Sequence, residues 1–266
     1  PCISMNKKFD QIDILHPNEM LPLLNEKFEL FDNINYVKIK GPDSRNLQEF
    51  IEKSKNINSI CFHDNSIKNF DFVSELIENE KINSIGFDSS LDKNSFDSFV
   101  QTLSFNKLNY FRVSKSKDID LSYSIEHFQQ LSVLSLTSCN LRIGEFIESF
   151  LPNLSKKLRK LDLSGNIGDG FSINNDSSKK LTKRLKWLFV DDVVWQVEHL
   201  NHFMKICSNS NLSTLSISNI KFINGNTYDQ WNYLFSNLPL QMNSISTLNW
   251  NSNKIDDNFV AFLLDS

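Results

Sequence analysis

The sequence predicts an α/β fold in which one strand–helix unit recurs along the chain and each unit stacks on the last. Three observations carry this. A single apolar template, L-x-x-L-x-L-x-x-N-x-L, starts afresh at Phe9, Ile34, Ile57, Ile82, Leu108, Leu131, Leu158, Leu185, Leu212 and Ile245, at steps of 23 to 33 residues. Between copies the apolar residues change to helical spacing. The 266-residue chain is 40% hydrophobic, enough to bury a continuous core.

The strands come first in each unit. The clearest copies begin at Ile57, Leu131, Leu158 and Ile245, and the first, fourth and sixth positions are apolar throughout, from Phe9, Ile12 and Ile14 to Ile245, Leu248 and Trp250. The fourth and sixth positions alternate as in a strand, so their side chains point inward while the third, fifth and seventh face out. Each strand is expected to pair in parallel with the next. At the ninth position Asn65, Asn166 and Asn253 are placed to bond the turning backbone, with Cys139 as a substitute; Pro17, Pro42, Val193 and Ile220 depart from the pattern and put their turns in doubt.

The helices follow. Leu23, Leu24, Phe28 and Phe31 have helical spacing, as do Phe72, Val73, Leu76 and Ile77, and Phe96, Phe99, Val100 and Leu103. So do Ile143, Phe146, Ile147 and Phe150; Val197, Leu200, Phe203 and Met204; and Trp231, Leu234, Phe235 and Leu238. One unit cannot cover its own apolar face, so stability is expected from stacked neighbours. The stretch 168–180 reads as a polar loop.

These copies resemble the ribonuclease-inhibitor-like subclass of leucine-rich repeats, over nearly the whole chain. The resemblance implies an α/β solenoid, a curved horseshoe with a parallel β-sheet on the concave face and helices on the convex face. Residues 1–266 are then one domain of about ten repeats. The long steps near the C-terminus and the weak helix signal after Asn166 depart from the family pattern. The chain opens on Pro1 and its last apolar pattern, Phe259 to Leu263, breaks off, so the sequence reads as a piece of a longer chain.

Composition narrows the function. A net charge of -4 and a pI near 5.8 argue against a general nucleic-acid or acidic-lipid binder, which needs clustered Lys and Arg. No apolar run approaches the ~20 residues that cross a bilayer, so no membrane insertion is expected. Cys2, Cys61, Cys139 and Cys207 form no C-x-x-C pair, which favours a reducing compartment. Neither a recurring G-x-I-P nor Cys-rich caps are present, and the cytoplasm is the expected location. No glycine-rich phosphate cradle appears, so no cofactor is expected.

The expected function is a non-enzymatic scaffold that binds a protein partner, of unknown identity, on the concave face. The alternatives are a regulator of a small GTPase or of actin assembly, or a substrate adaptor of a ubiquitin ligase acting through flanking segments. Outward positions supply the candidate contacts. Trp187 and Phe189 are expected to be the hot spot, because two large aromatics on an open strand face mark a site that something covers. Tyr110, Arg112 and Lys160 are expected as secondary contacts.

Other constellations are weaker. Cys61, His63 and Asp88 fall close enough to suggest a nucleophile with its base or a partial metal site, but no oxyanion-holding turn accompanies them. No catalytic residue and no metal ligand is expected. His199 and His202 do not form H-E-x-x-H and read as a solvated helix face, and the basic residues from Lys179 to Lys186 read as a solvated edge.

Overall fold

The computed structural model describes residues 11–14, 21, 33–40, 45–63, 71–88, 91, 93–102, 107–117, 119, 128–172, 184–225, 228–237 and 244–253. It is a mixed α/β structure of parallel strands and intervening helices. The chain divides into two compact units, Pro1–Leu131 and Ser132–Ser266.

In the first unit five strands lie side by side in chain order: β1 (Gln11–Ile14), β2 (Tyr36–Lys40), β3 (Ser59–His63), β4 (Ser84–Phe87) and β5 (Tyr110–Ser114). All the pairs are parallel, and their register sets Tyr36, Ser59, Ser84 and Tyr110 in one row. Each parallel step needs a crossover, and from β2 to β5 helices supply it: α1 (Arg45–Lys53), α2 (Asp71–Glu78) and α3 (Lys93–Thr102). Leu47, Phe50 and Ile51 of α1, Val73, Leu76 and Ile77 of α2, and Phe96 and Val100 of α3 are buried, as are the strands' inner residues. Phe111 is central here, its ring 6.4 Å from Phe87, 6.5 Å from Phe96 and 5.3 Å from Phe128. Helix α1 was not among the helices expected from the sequence, although its Leu47, Phe50 and Ile51 stand at helical spacing.

The second unit contains β6 (Val133–Thr137), β7 (Lys160–Asp162), β8 (Ile167–Gly168), β9 (Trp187–Phe189), β10 (Val194–Trp195), β11 (Thr214–Ser216), β12 (Lys221–Phe222) and β13 (Thr247–Asn249). Strands β6, β7, β9, β11 and β13 pair in parallel in that order. A second, small parallel sheet has the order β8, β10, β12. These short strands follow the turns and were not expected from the sequence. Helix α4 (Ile143–Glu145) runs on into a π-helical turn (Phe146–Phe150) and a 3₁₀ turn (Leu151–Asn153). Helices α5 (Val197–Ser208) and α6 (Tyr228–Asn237) are regular.

The template predicts burial well. From Ile12 to Ile217, every described residue at its first, fourth and sixth positions is at most 8% exposed. The last copy breaks the rule: Leu248 is 43% exposed, and Ile245 and Trp250 are partly exposed. Strand β13 pairs only with β11 among the described residues, which leaves one flank of Leu248 uncovered.

The turns after the strands have a common backbone. Lys115, Ser138, Gly165, Asp192, Asn219 and Ser252 all take positive φ, between 53° and 72°, one residue before the ninth template position. Asn166 then holds the turn with its side chain. Its Nδ2 donates to Leu136 O at 2.6 Å and Leu163 O at 2.8 Å, and its Oδ1 accepts from Cys139 N at 2.9 Å and Leu141 N at 3.1 Å. Asn253 makes the equivalent bonds to Ile217 O and Ile220 N. The turns at Val193 and Ile220, doubtful from sequence, form without a polar ninth residue. Both side chains are buried, and Asp192 N donates to Ser218 O at 2.9 Å. Asn65, Pro17, Pro42 and the helix expected around Leu23 to Phe31 lie outside the described residues.

The expected polar loop at 168–180 is corrected at its start. Gly168 is in β8, and Phe171 is buried against the rings of His199, His202 and Phe203. An apolar Phe among Gly, Ser and Asn carries no period, so nothing in the chain's pattern marks its docking.

Candidate binding surface

The outward residues of each unit form rows across its strands, because register fixes which side chains stand next to each other. In the second unit one row runs Val133, Lys160, Trp187, Thr214, Thr247, and the next Ser135, Asp162, Phe189, Ser216, Asn249. Trp187 is 43% exposed, flanked by a Lys and a Thr whose side chains do not cover an indole. Phe189 is half-buried, and the Lys160 ammonium stands 5.0 Å from its ring centroid. That is within the range of a cation–π contact. The register therefore sets Lys160 beside Trp187, with Phe189 two residues along the same strand.

Below this patch the face is polar and ordered. Asp191 accepts from Ser216 Oγ at 2.7 Å and from Ser218 N at 2.6 Å, and Asn249 Nδ2 donates to Ser216 Oγ at 2.9 Å. Ser216 is nearly fully buried, although its position faces outward. These bonds hold the backbone beneath Phe189.

Tyr110 and Arg112 belong to the first unit, where they meet groups the sequence had placed in a different context. Asp88 accepts from Lys38 Nζ at 3.2 Å and from Arg112 Nη2 at 3.3 Å, with His63 Nδ1 at 3.6 Å from the same carboxylate. Partial burial alone works to raise the Asp88 pKa, but the Lys38 hydrogen bond and the charges of Arg112, Lys38 and His63 outweigh it and hold the carboxyl below its ordinary range. The carboxylate is thus committed to cations.

Cys61, expected on the open face, is 3% exposed. It sits on the outward side, but Tyr36 overlies it from the neighbouring strand, and burial pushes the thiol pKa up despite the Tyr36 hydrogen bond. A thiol kept protonated at neutral pH is a poor nucleophile. Among the described residues no three His, Cys, Asp or Glu side chains gather as a metal donor set.

His199 and His202 do not form a solvated face. His199 Nδ1 accepts from Phe171 N at 3.2 Å, and His202 packs edge-on to Phe171 with its ring centroid 5.6 Å away. Burial lowers the His202 pKa. Both act as props for the segment after β8. Of the basic run, Arg184 and Lys186 are exposed and the residues from Lys179 to Lys183 lie outside the described set. No helix among the described residues is long and apolar enough to cross a membrane.

Compared with known protein families and with curated proteins, the chain matches no family and no curated sequence.

Proposed function

We propose that this protein is a leucine-rich-repeat solenoid of the ribonuclease-inhibitor-like kind, a cytoplasmic, non-enzymatic scaffold that binds a protein partner on the concave, strand-lined face. The observation that carries the binding site is Trp187, 43% exposed on a strand face beside Phe189 and Lys160. A large aromatic with its indole in water, next to a cation already poised over a second ring, has the composition of an interface anchor. The repeat itself is supported by the buried template positions and by the Asn166 and Asn253 bonds that tie one turn to the one before it.

The test compares the wild-type chain with a Trp187→Ser, Phe189→Ser double variant as bait in cell extract, with bound proteins identified by mass spectrometry. Both substitutions are on the outward face, so the far-ultraviolet circular-dichroism spectrum should be unchanged. The reading requires at least one protein held by the wild type and lost from the variant. Identical bound sets from two equally folded baits would overturn it.

A further inference from the structure

Two neighbouring rows of the first unit share one order of sizes. Across β2, β3, β4 and β5 the residues run Tyr36, Ser59, Ser84, Tyr110, and in the next row Lys38, Cys61, Gly86, Arg112. Each row sets two small residues between two large ones. Strands ~4.8 Å apart and rows ~6.7 Å apart make such a block of four small positions a hollow as wide as one functional group. The hollow is a cavity of about 260 Å³, lined by Tyr36, Ser59, Cys61, Ser84, Gly86, Tyr110 and Arg112 with the Ile60 backbone region.

Its chemistry is one-sided. Arg112 is the charged residue of the lining, and the other polar lining groups are hydroxyls and a thiol. Burial raises the pKa of both Tyr36 and Cys61, so neither supplies an anion near neutral pH. Asp88 lies behind Arg112, where Lys38 and Arg112 share its charge and leave a surplus of positive charge at that end. One donor is still unspent: Arg112 Nε is buried and has no hydrogen-bond partner, while Nη2 is held by Asp88. A buried guanidinium N–H without an acceptor is costly unless a ligand completes it. The cavity is smaller than sites for drug-sized molecules, and fits a single headgroup.

We infer that this hollow is an oxyanion-binding site, in which a carboxylate or phosphate group accepts from Arg112 Nε and from the hydroxyl of Ser84, which itself accepts from Ser59 Oγ at 2.9 Å. The inference needs only residues of the first unit and does not rest on the role of Trp187. A planar guanidinium anchored on one edge by Asp88 is oriented in advance, which is how arginine recognises such groups.

The experiment follows the Arg112 Nε–H resonance in the ¹⁵N-labelled full chain, assigned by its disappearance in Arg112→Lys. Sodium acetate, inorganic phosphate and, as a neutral match for acetate, acetamide are titrated at constant ionic strength. The resonance is expected to move saturably with acetate or phosphate and to stay in place with acetamide. The tighter of the two anions identifies the source as a carboxylate or a phosphate. Ser84→Leu, which fills the hollow and keeps Arg112, should weaken binding about tenfold or more; Ser59→Leu serves if that variant does not fold. Absence of saturable movement with both anions, or unchanged affinity in a folded filled variant, overturns the site.

Discussion

The side-chain amide of Asn166 reaches back to the preceding turn, where its Oδ1 accepts the backbone N–H of Cys139 at 2.9 Å. The same amide satisfies Leu141 N, Leu136 O and Leu163 O. Four backbone groups in a buried turn thus depend on one residue that is 3% exposed.

Asn166→Ala should therefore destabilise the chain by about 3 kcal/mol, because several buried backbone groups lose their partners at once. Asn166→Asp sets a carboxylate oxygen against Leu136 O and Leu163 O in a buried turn, and should destabilise at least as much as alanine. Urea midpoints for the three proteins test this order. A midpoint for the alanine variant equal to that of the wild type would show that the turn does not need the side chain.

Gly168 faces the indole of Trp195, and a Cβ built there would lie 2.3 Å from the ring. Trp195 is fully buried, with the Phe203 ring tilted against it at 5.1 Å, which limits any retreat. Gly168→Ala should cost about 1–3 kcal/mol through overpacking. Trp195→Leu in the same chain should recover part of that loss, a coupling that a double-mutant cycle measures directly. Additive effects would show that the two residues do not touch.

Acid should weaken the fold in two steps. The His202 pKa is lowered by burial from an ordinary 6.5, so just below that value the unfolded chain binds a proton that the folded chain does not. Stability is then lost as pH falls through about 6.5, and His202→Gln should flatten this limb. The Asp88 pKa is lowered from 3.8 by its cations against the effect of burial; its contribution is complete above that value and is lost as pH falls toward the folded pKa. Asp88→Asn should remove the second limb and leave the first. Thermal melting from pH 2 to 8 reads both, and parallel profiles for wild type and variants would refute the assignment.

Cys61 should resist alkylation. With the thiol 3% exposed and its pKa raised by burial, iodoacetamide at neutral pH should modify it at least about tenfold more slowly than a model thiol. Peptide mapping against time, with and without urea, measures the difference. Rapid native labelling would mean that Cys61 is activated after all.

Much of the strand framework was legible because a period of two in a strand is written in residue size and polarity. Ile60 and Phe62, or Leu161 and Leu163, are buried on schedule. The departures have physical causes. Val193 and Ile220 lack the amide of Asn166, yet their turns form, since left-handed Asp192 and Asn219 already set the backbone path. Strands β8, β10 and β12 are two residues long, too short for any alternation to show. Helix α1 is a different case: Leu47, Phe50 and Ile51 stand at helical spacing and are buried, so its pattern was present in the chain and was passed over.

The candidate sites divide in the same way. Trp187 and Phe189 could be read from the chain because large apolar residues at outward positions are unusual in themselves. The hollow beside Arg112 could not, because Ser59, Gly86 and Tyr110 are ordinary in their own strands. It exists only when four strands are laid in register and compared across, a direction at right angles to the sequence. Phe171 was hidden for a related reason: its neighbours His199 and Phe203 lie on a helix about thirty residues later.

The left-handed residues before each ninth position, from Lys115 to Ser252, bear on how such a chain can drift. Since the bend is encoded in main-chain geometry, Asn, Cys, Ser, Val or Ile can follow it and the next strand still arrives in place. Lineages can lose the spelling of the motif one letter at a time while its architecture persists.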